Sequence, residues 1–121
     1  VLLMALQPKI FVPGSWVVHA GETGAEIYFV TSGKMEILSA EDGQSFGTMT
    51  GGDYFGDLSL LLGEKRTASV RAVTFCEAFT LGREDFNAIK SEYPEFRDVL
   101  KKISSERSAM STELLLEGVI L

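Results

Sequence analysis

The chain of 121 residues carries 11 basic and 17 acidic side chains, one histidine and a net charge of −6. That length fits one domain with a modest core, and the 45% hydrophobic, 23% charged composition is that of a globular protein rather than a disordered one. The acidic balance excludes a broad nucleic-acid surface, and the single cysteine excludes an internal disulfide and a Cys-rich metal site, which fits a reducing cytoplasmic compartment.

The first residues, "VLLMAL", form the longest apolar run at this end. The run is too short to span a bilayer and lacks the basic flank of a signal peptide. Residues 1–8 are expected to be the end of an N-terminal helix, in a portion of a longer protein that begins without methionine.

Between residues 9 and 82 glycine recurs at short intervals and separates segments rich in β-formers: "KIFV", "SWVVHA", "EIYFVTS", "KMEILSA", "SFGTMT", "TASVRAV" and "CEAFTL". Short strands with regular turn signals predict a sandwich or barrel, here a β-roll of eight strands. Pro13-Gly14 reads as a tight turn, and "EDGQ" closes a hairpin after "KMEIL". Within the roll, residues 57–62 read as a short apolar helix interrupting the strands. From Arg83 the period changes. "REDFNAIKSEY" places Phe86, Ile89 and Tyr93 at helical spacing, with Glu84 and Asp85 complementing the helix dipole. Pro94 suits the first turn of a second helix that continues toward residue 117. The fold expected is thus mainly β with flanking helices: residues 1–8, a roll over 9–82, and C-terminal helices over 83–121.

The chemistry concentrates in residues 55–70, "FGDLSLLLGEKRTASV". Gly56 has no Cβ and lets a ligand approach the main chain. The first amides of the following helical turn lack intrahelical partners and suit a phosphate. Arg66 can return to the same place with a planar fork of donors, and Thr67 adds a hydroxyl. Asp57 is an acceptor, suited to a sugar hydroxyl rather than to a phosphate. Ala68 and Ser69 are small enough to let the next strand pass close by. The spacing alone is equally compatible with a solvated Lys65–Arg66 pair in a surface loop.

The stretch "FGDLSLLLGEKRTASVRA" resembles the phosphate-binding cassette of cyclic nucleotide-binding domains, F-G-E-x-x-L-L, a loop, then R-(T/A)-A. The resemblance covers nearly the whole chain: "IFVPGSWVVHAGETGAEIYFVTSGKMEI" is similar to the family's opening pattern. "GGDYFGD" and "EYPEF" are similar to the branch found in cyclic nucleotide-gated and hyperpolarisation-activated channels. The resemblance implies that Gly56 and the amides of Leu58 and Ser59 receive the ribose and cyclic phosphate. Arg66 pairs with the phosphate charge. Thr67 donates to the phosphate and can reach a guanine amino group. Asp57 stands where the family has glutamate and takes the ribose 2′-hydroxyl with a side chain one methylene shorter. Ile37 and Val70 contact the base, and Arg107 meets it from the last helix, which closes as a lid.

The resemblance further implies a ligand, cAMP in the first place and cGMP in the second, and no cofactor or metal. The domain would be a non-enzymatic sensor on the cytoplasmic side of a membrane, gating a cation channel of the potassium type. Its partners would be the pore and linker segments of its own chain and homotetramer mates, with the isolated domain a monomer. The other readings are the cAMP-sensing half of a transcription regulator and a kinase regulatory subunit. A metal-dependent jelly-roll enzyme needs several histidines, and His19 is alone. His19 reads as an ordinary strand residue, and Cys76 and Trp16 as packing residues.

Overall fold

The structure is a computed structural model, described here for residues 6–56, 65–92 and 121. Among the described residues, eight strands form two four-stranded antiparallel sheets. One sheet has the order β1 (Gln7–Phe11), β8 (Cys76–Gly82), β3 (Glu26–Ser32), β6 (Tyr54–Phe55). The other has the order β2 (Trp16–Val18), β7 (Ala68–Ala72), β4 (Lys34–Ser39), β5 (Ser45–Thr50). This is the expected mainly-β roll. One boundary is corrected: Gln7 and Pro8 are not helical but open β1, pairing with Thr80 and Phe79. β1 is an edge strand, where a proline costs no central ladder bond.

Strand alternation builds the interior. In β7, Ala68, Val70 and Ala72 point inward while Ser69 and Arg71 are half-buried. In β8, Cys76, Ala78 and Thr80 are buried between exposed Glu77 and Phe79. Side chains from both sheets merge into one cluster that includes Tyr28, Val30, Met35, Ile37, Phe55, Val70 and Cys76. Cys76 is thus the core residue expected. Leu121 also packs on this cluster.

Helix α1 (Arg83–Glu92) follows β8 directly, with Glu84 and Asp85 in its first turn. Its Phe86 and Ile89 pack on the outward-facing Ile27 and Leu81. The helix therefore covers the outer side of the first sheet at the end where β3 begins. Trp16, expected to pack, does so at the surface: it is 45% exposed, with Arg71 over its face at 5.3 Å and His19 tilted against it. The turn between β3 and β4 admits only glycine. At Gly33 φ is +92°, and a Cβ there would fall 2.4 Å from the Phe75 carbonyl oxygen.

Candidate functional site

Arg66 is held by its main chain before its side chain does anything. Its N–H donates to the Glu22 carbonyl at 2.8 Å, and its carbonyl accepts from the Gly21 N–H at 2.7 Å. A bridge between Thr23 and Lys65 extends this pairing. The loop entering β3 therefore clasps the chain where it leaves the cassette, and the Arg66 side chain is aimed into the roll at 4% exposure.

There the guanidinium meets two groups of β3. Nη2 donates to the Glu26 carbonyl oxygen at 3.1 Å. The Cζ atom lies 6.0 Å from the centroid of the Tyr28 ring. That ring is stacked on Phe55 at 4.9 Å with an interplanar angle of 5°. Phe55 immediately precedes Gly56, so one aromatic stack ties the arginine to the start of the cassette.

Gly56 adopts φ +101°, and a Cβ built on it would lie 2.6 Å from the Glu26 oxygen and 3.3 Å from Nη1 of Arg66. The glycine is needed for its backbone conformation and for the space beside the arginine. Nη1 itself is buried without a hydrogen-bond partner among the described residues. A buried charged donor left unsatisfied costs about 1–3 kcal/mol or more. Burial pulls the Arg66 pKa down from its ordinary value, while Tyr28, Glu22 and Glu26 act the other way. An anion accepting from Nη1 would remove both penalties together.

Burial first, and then the Glu26 charge, push the Tyr28 hydroxyl from 10.0 up to about 12. The native phenol keeps its proton after the unfolded chain has lost it. This contribution to stability is complete below the unfolded pKa and disappears as pH rises through the folded one, from about 10 to about 12. Denaturant unfolding across that window should lose about 1 kcal/mol through this group in the wild type, the screening of its partly solvated hydroxyl being allowed for. The same decline should be absent from Tyr28→Phe. Equal declines in the two proteins would contradict the assignment.

The other candidate residues distribute as follows. Ile37 and Val70 are cross-strand partners in the β4–β7 ladder, both fully buried in the cluster that contains Tyr28 and Phe55. Ala68 is fully buried at the start of β7, and Thr67 just before it is exposed. Asp57, Leu58, Ser59 and Arg107 lie outside the described residues, as do the segments expected to form a cassette helix and a second C-terminal helix. Tyr28, Phe55 and the Glu26 carbonyl were not singled out from the sequence. The alternation in "EIYFV" places Glu26 and Tyr28 on one face of a strand, a signal that could have found them. Among the described residues there is no cluster of His, Cys, Asp and Glu fit to hold a metal ion. Nor is any helix there long and apolar enough to cross a membrane.

Among the described residues, eight strands form a roll whose interior holds a buried guanidinium, with Nη1 unpaired among those residues, beside a glycine: the architecture is that of a β-roll domain. The family described as the cyclic nucleotide-binding domain matches residues 8–93, well over half of the chain. The chain belongs to that family. It is 36% identical over 106 residues to the potassium/sodium hyperpolarization-activated cyclic nucleotide-gated channel 3 of Homo sapiens, covering 88% of this chain and 13% of the channel. It is 29% identical to the cyclic nucleotide-gated channel rod photoreceptor subunit alpha of Gallus gallus, covering 84% of this chain and 17% of that subunit. The chain thus spans less than a fifth of either relative. Among solved structures it resembles cAMP-bound PfPKA-R with a TM-score of 0.70 and 27% identity, over 87% of this chain and 38% of that one. It also resembles the regulatory subunit of a cAMP-independent protein kinase A from Trypanosoma brucei, with a TM-score of 0.71 and 25% identity, over 84% of this chain and 36% of that one. One neighbour holds cAMP and the other belongs to a kinase described as cAMP-independent, so the ligand has to be argued from the site and not from the fold.

Proposed function

We propose that this domain binds a cyclic nucleotide, cAMP in preference to cGMP, through the cyclic phosphate. The observation that carries the reading is the buried Nη1 of Arg66, without a partner among the described residues and bordered by Gly56. A singly charged cyclic phosphate supplies the acceptor this donor lacks. In this reading Gly56, Thr67 and the amides of Leu58 and Ser59 complete the phosphate site, and Asp57 takes the ribose hydroxyl. Ile37 and Val70 bound the base from the roll. Arg107 meets the base from a C-terminal helix that closes on the ligand. The domain is a sensor and not an enzyme. Its place is the cytoplasmic side of a tetrameric cation channel of the potassium type, supported by its 36% identity to a hyperpolarization-activated channel. Closure can drive a pore only by the difference in ligand affinity between open and closed states.

Isothermal titration of the purified domain with cAMP and with cGMP tests the binding reading. We expect a Kd of about 1 μM or tighter for cAMP and weaker binding of cGMP. Equal affinities would remove the preference, and heat from neither nucleotide would contradict the reading altogether. A second reading, a kinase regulatory subunit, is favoured by the two kinase-regulatory neighbours. Reconstitution of the full-length protein in liposomes separates the two: cAMP-dependent ion flux supports the channel, and its absence together with a co-purifying kinase supports the second.

A further inference from the structure

Two acids, Glu22 and Glu26, lie within electrostatic reach of the Arg66 guanidinium. Glu22 and Glu26 both act on its charge, yet neither forms a salt bridge with it among the described residues. Each is engaged elsewhere. A carboxylate oxygen of Glu22 accepts the His19 main-chain N–H at 2.5 Å. The Glu26 Oε1 lies 3.7 Å from the Lys9 ammonium and 3.5 Å from the Tyr28 hydroxyl.

Glu26 is the more consequential of the two. Its main-chain oxygen already accepts from Nη2 of Arg66, so its side chain starts from a residue in contact with the guanidinium. Carboxylate and guanidinium form bidentate pairs readily, and such a pair would occupy Nη1. A ligand phosphate would then have to displace an internal competitor at every binding event. The Glu26 side chain is 30% exposed, which leaves it room to move, and Lys9 approaches from the edge strand β1.

Resting on the cyclic nucleotide reading, we infer that Lys9 is a positioning residue: with the Tyr28 hydroxyl it holds the Glu26 carboxylate away from Arg66 and keeps Nη1 open for a phosphate oxygen. Lys9 touches no ligand in this scheme. Its role is to prevent the pocket from neutralising itself.

Three variants test this by cAMP titration. Lys9→Met is expected to weaken binding about fivefold. Adding Glu26→Gln should restore affinity to within about twofold of wild type, because the competitor is gone. Adding Glu41→Gln instead, in the exposed β4–β5 turn, restores the same net charge but leaves Glu26 intact, and should not rescue. Normal binding by Lys9→Met overturns the inference, as does equal rescue by both second changes, which would mean long-range attraction alone. Failure of Glu26→Gln to rescue also overturns it. A ligand-free crystal structure of Lys9→Met separates this inference from the cyclic nucleotide reading. The Glu26 carboxylate bonded to Nη1 of Arg66 supports the inference even if the wild type binds no cAMP. The carboxylate still turned away refutes it.

Discussion

Arg66→Ala is expected to weaken cyclic nucleotide binding by about 100-fold or more, measured by titration calorimetry. The magnitude follows from the asymmetry of the site. The ligand's phosphate would be desolvated beside Tyr28 and Phe55, and the alanine variant offers it no charge-assisted donor in return. The same substitution should leave the ligand-free fold nearly intact. It loses one hydrogen bond to Glu26 and the contact with the Tyr28 ring, but it also removes a buried donor with no partner among the described residues. A melting temperature within about 5 °C of wild type is therefore expected. Lysine is no substitute, because one ammonium cannot hold the Glu26 carbonyl and a phosphate in the fixed geometry of a guanidinium fork. Undiminished binding by Arg66→Ala would sink the site assignment.

Gly56→Ala should damage both stability and binding. At φ +101° an alanine is strained, and its Cβ would overlap the Glu26 carbonyl oxygen at 2.6 Å. Strain of this kind costs about 1–3 kcal/mol, a loss of about 10 °C in melting temperature. The methyl group also crowds Nη1 of Arg66, so cAMP affinity should fall more than about tenfold. Gly82→Ala provides the comparison, since nothing lies within 4 Å of the position its Cβ would take. Similar melting temperatures for the two variants would show that the Gly56 backbone can relax, and the close approach to Arg66 would then not be essential.

Much of the roll is readable in the chain because its signals are local. "EIYFVTS" and "SFGTMT" coincide with β3 and β5, since β-branched and aromatic residues alternate there between glycine-bearing turns. β6 escaped because two residues, Tyr54 and Phe55, carry no period. The start of β1 was misread because Pro8 follows an apolar run, and only pairing with β8 makes it a strand. The division of eight strands between two sheets is non-local and was not legible.

The site divides in the same way. Arg66 and Gly56 stand in a motif legible in the sequence, and the structure places them side by side. What surrounds Arg66 comes from β3, forty residues earlier in sequence: the Glu26 carbonyl, the Tyr28 ring and the Glu26 carboxylate that pairs with Lys9. None of these follows from the cassette's own residues. Ile37 and Val70 were singled out for the base, and the structure adds that they are direct partners in one ladder.

The most direct measurement is nuclear magnetic resonance of the Arg66 guanidinium in nitrogen-labelled protein, with and without cAMP. The Nη1 protons should become protected on binding and show coupling across a hydrogen bond to the ligand phosphorus. Saturating cAMP that leaves those resonances unchanged would mean that the nucleotide binds elsewhere, and that the unpaired donor of Arg66 is not its receptor.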